Sequence, residues 1–496
     1  MRKQRKQNHS WTNGSKWRFW KLSIFILLFL TMYNIFLTIK LMYASSCDKN
    51  QPDVLFEPIK AEPPAIGCSD KVLESYGSQP EISKSSTSKS LPDNRDIEND
   101  NRPLTVKYNF KLDLALGRSD DRMRYLLFDN VIVGDKFVHL TGLYKTSLAT
   151  QSSLDKIASI IESSLHWGGP ISLAVFAGSE KELNGLLMYI IYLRKCNVRI
   201  KERVSFHLAI LKDKGPKKIL IDDERISKMG CDDPIGVLKS LLKEVNKGVS
   251  DAHIYIKSSL NFFLKGISPW RFKIPYPQNV LRNLARKNCR SEYTFLIDVD
   301  IIPSKGMAES LNIFLGTQKC QGKCAYVVPT YELYERVAFP PDKTDLVRLA
   351  NKGLARPFHH KVFIYNQYAT NFSRWERFQD PDMNIRISHT VTNFEFLYEP
   401  FYIANDTVPP HDERFIGYGY TRNSQVYEMF VAGYEFLVLS PIFTCHWGLQ
   451  VKKTRPPWRE HQNNLNRRQF DQFKKEIFAR YNKDPLNMIK PKKKKN

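Results

Sequence analysis

Phe295–Pro303 reads FLIDVDIIP, two carboxylates two residues apart in an otherwise apolar run. A continuous apolar lead-in of this kind suits a strand covered on both faces, as in a parallel sheet. Side chains alternate along a strand, so Asp298 and Asp300 are expected to share one side and to converge where Pro303 helps end the strand. PQNVLRNLARKN (277–288) spaces as a helix leading into it, and SKGMAESLNIFL (304–315) as the helix that follows. Farther upstream, ISLAVFA (171–177) is a short apolar run. Ser179 and Glu182 follow at capping-box spacing, then Leu183, Leu186, Leu187 and Ile190 on one helical face, then a second strand signal, VSFHLAIL (204–211). Strand, helix, strand argues a βαβ unit with a parallel sheet, hence an α/β fold. Beyond Tyr326 the sequence turns aromatic and irregular until a helix expected over 422–432, stopped by Gly433.

In open α/β sheets ligands bind at the carboxyl ends of strands, and two carboxylates there repel unless protonated, hydrogen-bonded or neutralised by a cation. The bland reading is that both acids cap the next helix or bond loop amides. A calcium loop needs an oxygen ligand at its fifth position and Gly at its sixth, where Ile302 and Pro303 stand. An aspartyl-phosphate phosphatase usually carries a hydroxyl two positions after the second acid, again Ile302. The third chemistry is transfer from a nucleotide sugar, in which the carboxylates hold Mn²⁺ or Mg²⁺ on a diphosphate leaving group.

The rest of the chain bears on that choice. Residues 22–39, LSIFILLFLTMYNIFLTI, carry no charge, and seven Lys and Arg precede them with no acid among them. Such a segment is expected to be an uncleaved transmembrane anchor over 22–44, with 1–21 as a cytoplasmic tail. Residues 45–105, poor in aromatics and rich in Ser, Pro and charge, read as a flexible lumenal stem, 106–485 as the folded domain and 486–496 as a basic tail. The net charge of +24 is half accounted for by the seven N-terminal charges and the five lysines of KPKKKKN. With no zinc-finger spacing, RNP-like motif or basic heptads, a nucleic-acid partner is not expected. All eight cysteines follow the anchor, so disulfides are expected in an oxidising lumen, with CQGKC (320–324) a loop staple rather than half of a zinc site. Asn371 and Asn405 head accessible sequons.

At YPQNVLRNLAR…FLIDVDIIPSKGM, and again at DTVPPHDERFIGYGYTRNSQVYEMFVAGYEFLVLSPIFTCHWG, the chain resembles glycosyltransferase family 49 across roughly residues 126–481. The resemblance implies a GT-A fold, with a Rossmann-like mixed, mainly parallel sheet, and an inverting transferase that moves glucuronic acid from UDP-glucuronic acid to a xylose-terminated O-mannosyl glycan. It implies a type II protein of the Golgi membrane, where other Golgi glycosyltransferases are possible partners. Carried onto this sequence, Asp298 and Asp300 are the metal motif and His446 of CHWG completes the metal shell, a donor set suiting Mn²⁺ better than Mg²⁺. Asp412, or the adjacent Glu413, is the general base that inversion requires. Arg282 and Asn283 of LRN would lie near the nucleotide, although Arg282 and Arg286 also read as a solvated stripe. Arg414 and Arg422 are candidates to recognise the glucuronate carboxylate. Trp375, Tyr418, Tyr420 and Trp447 could stack a sugar face or belong to the core. The alternatives are a transferase of the same fold using UDP-xylose or UDP-GlcNAc, and a non-catalytic glycan-binding module.

Overall fold

The computed structural model describes residues 30, 31 and 33, and then 116–214, 219, 221–246, 274–318, 320, 322–452 and 456–489. The chain divides into two units, Met1–Asp100 and Asn101–Asn496, and every element named below belongs to the second. Its strands in chain order are β1 (Arg118–Ser119), β2 (Tyr125–Ile132), β3 (Thr146–Ser153), β4 (Ile171–Ala177), β5 (Val204–Leu211), β6 (Tyr293–Leu296) and β7 (Ile302–Pro303). There follow β8 (Cys324–Val328), β9 (Thr330–Leu333), β10 (Ala355–Pro357), β11 (Arg386–Thr390), β12 (Phe401–Asn405), β13 (Glu435–Ser440) and β14 (Thr444–Trp447).

Among the described residues, ten strands make one sheet in the order β1-β2-β5-β4-β3-β6-β12-β8-β13-β11, and four make a second, β10-β9-β14-β7. β5, β4, β3 and β6 run parallel to one another, as do β8 and β13, but the other five pairings of this sheet are antiparallel, so it is mixed and not mainly parallel as expected. The expected βαβ unit is therefore present, its two strands at the expected residues. The helix Glu180–Cys196 joins them, and its N-terminus is capped as the sequence suggests. Ser179 accepts the Glu182 N–H at 3.2 Å, while the Glu182 carboxylate reaches back to the Gly178 N–H at 2.8 Å. β6 is central, between β3 and β12, which explains its apolar lead-in. The flanking helices are Gln278–Lys287 and Met307–Thr317, and the later helix is Asn423–Val431, ended by Gly433 at φ +88°.

The strand itself stops earlier than expected. β6 ends at Leu296, and Asp298 and Asp300 stand in the turn after it, closed by the Ile301 N–H on the Asp298 carbonyl at 2.9 Å. Ile297, Val299 and Ile301 are all buried while the two acids are partly exposed. Alternation of burial thus survives without strand pairing, and this is what made the turn read as strand.

No helix among the described residues is long and apolar enough to cross a membrane. The anchor expected over 22–44 lies outside the described residues except for Leu30, Thr31 and Tyr33, which are helical. Disulfides join Cys196 to Cys231 and Cys320 to Cys324, the second being the expected staple.

The long helix Pro457–Tyr481 seats the loop that links Asp412 to Arg422. Gln462 accepts the Tyr418 N–H, and the Asn466 amide donates to the carbonyls of Ile416, Tyr418 and Gly419. Gly417 has φ +79°, and a Cβ there would fall 2.4 Å from the Gln462 side-chain oxygen. Gly417→Ala should therefore cost about 1–3 kcal/mol in urea unfolding. Unchanged stability would show that this helix does not hold the loop.

Candidate active site

β3 and β6 are parallel neighbours, so their carboxyl ends open on the same edge of the sheet. Gln151 near the end of β3, Lys156 in the turn beyond it, and the acid pair beyond β6 meet there. Three bonds converge on one oxygen, Oδ1, of Asp298. Gln151 Nε2 donates at 3.2 Å, Arg282 at 3.2 Å and Arg422 at 2.9 Å. Tyr276 donates its hydroxyl to the same Gln151. Both arginines are buried, Arg282 on the helix Gln278–Lys287 and Arg422 just before the helix Asn423–Val431. Arg422 also donates to the Leu296 carbonyl at 3.1 Å and lies 4.3 Å over the Phe401 ring, so it wedges between the end of β6 and the start of β12. Burial alone would raise the Asp298 pKa, but Arg422 and Arg282 outweigh it and hold the acid at about 2.

Asp300 turns the other way. Its Oδ2 accepts the Lys156 ammonium at 2.6 Å and stands 3.7 Å from His446 Nε2. The second sheet brings that histidine in. β14 pairs with β7 so that Cys445 faces Ile302, and one more step sets His446 beside Ile301, next to Asp300. Burial raises the Asp300 pKa, and Lys156 and His446 more than offset this and lower it, so the group is a carboxylate. Phe358, stacked on His359 at 3.9 Å, lies 5.7 Å from the His446 ring. His359 is held at φ +61° by its N–H bond to buried Glu332, and burial, together with His446, lowers its pKa to about 4.

No three His, Cys, Asp or Glu side chains among the described residues enclose a metal site as they stand. Asp300 and His446 nevertheless form a carboxylate–imidazole pair, and the carboxylate already holds a cation, the Lys156 ammonium, whose side chain is 52% exposed. His446 Nδ1 is buried without a partner. An ionised acid that already attracts a cation, beside an imidazole, is a donor set that fits a divalent ion of the Mn²⁺ kind.

The remaining sequence candidates are placed as follows. Asn283 donates to the His411 carbonyl at 2.8 Å and to Glu413 at 2.9 Å, and accepts the His411 N–H. Arg286 is no solvated stripe, because it binds Asp406 and the carbonyls of Val408 and Pro409. Both oxygens of Asp412 accept from Arg414, which also binds Glu476 on the long helix. Glu413 accepts from Asn283 and faces Asp120 and Asp121, and burial raises its pKa. The structure thus brings Asp298, Asp300, His446 and Arg282 together, while the side chains of Asp412 and Glu413 are engaged elsewhere. Neither candidate for a uronate carboxylate is open, since Arg414 and Arg422 are committed to acids of the protein. Trp375 is fully buried and donates to the Leu439 carbonyl, and Trp447 donates to the Val337 carbonyl, so both serve packing.

A cavity of about 750 Å³ lies apart from this edge, lined by Lys343, Glu376, Phe378, Asp380 and Pro441 among others. Lys343 there is satisfied by Asp380, Ser440 and the Phe378 carbonyl, so size alone does not make it the centre of chemistry. Sequence reasoning missed Gln151, Lys156 and His359. Only Lys156, just beyond a strand, carried a signal, and β3 hides it by being buried yet rich in Ser and Thr.

Comparison with known proteins agrees with the chemistry. Residues 145–482 match the family described as the glycosyl-transferase for dystroglycan. Human Beta-1,4-glucuronyltransferase 1 is 31% identical over 353 residues, 69% of this chain and 79% of that one. Rat Xylosyl- and glucuronyltransferase LARGE2 is 29% identical over 224 residues, covering 43% of this chain and 31% of that one. A crystal structure of GalNAc-T7 with UDP, GalNAc and Mn²⁺ covers 68% of this chain and 50% of that one at 8% identity, with a TM-score of 0.31 that is too low to carry an argument. The chain belongs to the family of glycosyl-transferases for dystroglycan and is a glycosyltransferase.

Proposed function

We propose that the protein is an inverting, metal-dependent transferase that moves glucuronic acid from UDP-glucuronic acid to a xylose-terminated glycan. The observation that carries this reading is the meeting of Asp300 with His446 at the carboxyl ends of β3 and β6, in a chain 31% identical to Beta-1,4-glucuronyltransferase 1. Asp298, Asp300 and His446 would hold Mn²⁺ or Mg²⁺, which when bound supplies charge stabilisation to the departing diphosphate. The chain's own residues do the rest. Arg282 and Arg422 keep Asp298 ionised and fixed, so that it presents its second oxygen to the site without rearranging. Lys156 is an exposed cation that can leave Asp300 for an anionic oxygen of the donor. A carboxylate must take the proton of the acceptor hydroxyl as it attacks. The family motif offers Asp412 and Glu413 for that step. Membrane anchoring in the Golgi as a type II protein belongs to the same reading, which the two disulfides support because they persist in an oxidising lumen.

The test is a panel of UDP-sugars with the purified full-length chain and a xyloside acceptor, in Mn²⁺ and in chelator. UDP-glucuronic acid should be turned over with Mn²⁺ and not in chelator. Turnover that persists in chelator would reject the metal, and a preference for UDP-xylose or UDP-GlcNAc would reject the donor.

A further inference from the structure

We infer that an N-glycan on Asn371 is a structural part of this protein, its first N-acetylglucosamine packed on the exposed ring of Tyr368, where it steadies the loop that runs from the active site to Asn371. The glycan depends on the lumenal placement proposed above. Its packing on the protein goes beyond that reading and owes nothing to the identity of the donor.

The loop 358–371 starts at the site and is tied down on its buried side. At its near end Phe358 stacks on His359 and lies 5.7 Å from the His446 ring. Farther along, the N–H groups of Asn366, Gln367, Thr370 and Asn371 reach the carbonyls of Phe363, Ile364, Gln367 and Tyr368 at 3.0–3.2 Å, each bond spanning three residues. Side chains three apart eclipse in such 3₁₀ turns. Asn366 and Ala369 make one buried row, and Gln367 and Thr370 a second. Both rows are fastened to the chain beneath. Asn366 donates to the Glu399 carboxylate at 2.5 Å and Gln367 to the Glu399 carbonyl at 2.8 Å, while the Thr370 and Tyr398 hydroxyls meet at 2.7 Å. The third row, Tyr365 and Tyr368, faces outward, 53% and 55% exposed. Among the described residues the Tyr368 ring has no aromatic or cationic neighbour and its hydroxyl has no hydrogen bond.

The residue one turn beyond supplies an occupant for that face. Asn371 opens the sequon Asn371-Phe372-Ser373, and Asn371 and Ser373 are both exposed. The Asn371 N–H closes the turn on Tyr368, which sets the two residues about 6 Å apart along the axis. Asn371 has φ +52°, and its Oδ1 accepts the Arg374 N–H at 3.2 Å to cap the helix Phe372–Arg377. The other end of the amide, Nδ2, is the atom that carries a glycan, and it makes no hydrogen bond among the described residues. The amide is thus fixed through its oxygen and open at its nitrogen. A sugar joined there lies one turn from a rigidly backed aromatic ring, whose face suits the C–H face of a pyranose. The covalent step uses a lipid-linked oligosaccharide diphosphate supplied by the cell. The Asn371 nitrogen bonds C1 of its terminal sugar and gives up a proton, while the C1–oxygen bond breaks and its electron pair leaves with the lipid diphosphate.

Ser373→Ala removes the sequon and leaves the Asn371 cap in place. In the full-length chain made in eukaryotic cells, mass spectrometry should find a glycan on Asn371 of the wild type and none on Asn371 of this variant. Hydrogen exchange over 359–371 should then be about 2–10-fold faster in Ser373→Ala, the range that a ring contact of this kind sets on local opening. Tyr368→Ala, still glycosylated, should show a similar increase. The double variant should match either single one, since each removes one partner of the same contact. Additive increases, or exchange in Ser373→Ala equal to that of the glycosylated wild type, overturn the packing. A bare Asn371 in a domain that intact microsomes protect from protease overturns the glycan while leaving the lumenal reading standing. A domain digested in intact microsomes overturns both.

Discussion

Asp300→Asn should abolish transfer, by about 10³-fold or more, in a protein that remains folded. The substitution keeps the shape of the side chain and removes the charge that Lys156 and His446 both address. Its structural cost is small for three reasons. The turn is closed by backbone atoms, the Ile301 N–H on the Asp298 carbonyl, and not by the Asp300 side chain. The lost pair with Lys156 is partly solvated, with Lys156 half exposed, so it is worth at most about 1 kcal/mol. Removing one of two neighbouring negative charges also relieves the repulsion that Asp300 exerts on Asp298. Melting should therefore hold near the wild-type temperature, while Mn²⁺ affinity, measured by titration without donor or acceptor, should fall with the rate. Full activity in this variant would make the acid pair structural and would remove the basis of the metal reading. A fall in rate with unchanged Mn²⁺ affinity would instead place Asp300 on the substrate.

The sequence disclosed the local parts of this site and hid the distant ones. ISLAVFA and VSFHLAIL coincide with β4 and β5, because continuous apolar runs are what strands buried on both faces require. The helix over Arg282 and Asn283 was legible from its 3.6-residue spacing, and its observed bounds differ by one residue at each end from those expected. Asp298 and Asp300 were legible as a pair, but their divergence was not. It depends on Arg282 and Arg422, which arrive from separate helices, and on Lys156, which arrives from β3. His446 reaches Asp300 only through the pairing of β14 with β7, two residues of strand that no pattern would announce. β3 failed as a sequence signal because Thr146–Ser153 is wholly buried yet mostly hydroxylic and amide side chains.

Arg422→Met is the variant expected to do most damage to the fold, about 3–5 kcal/mol of stability at neutral pH. Methionine can keep the apolar contact with the Phe401 ring, so the loss is electrostatic: the Leu296 carbonyl loses a donor, and Asp298 keeps one guanidinium, Arg282, and the Gln151 amide against its burial. The dependence on pH separates this cause from simple loss of packing. In the wild type Asp298 titrates at about 2, below the ordinary carboxylate value. A group depressed on folding contributes stability that is complete above its unfolded pKa of about 3.9 and is lost as pH falls through that value toward about 2. Asp300 is lowered as well and adds a loss of the same sign. In the variant, burial is opposed by one guanidinium fewer, so the Asp298 pKa rises. Protonation then relieves the stranded charge at a pH where the wild type still gains from its ionised form. The stability gap between the two proteins, from urea unfolding, should therefore narrow as pH is lowered from about 7 to about 4. Adding Asp298→Asn to Arg422→Met should recover part of the loss at neutral pH, since the charge left without its partner is gone. A gap that stays constant with pH and is untouched by the second substitution would mean that Arg422 acts by filling space between β6 and β12, and that its bond to Asp298 contributes nothing to the fold.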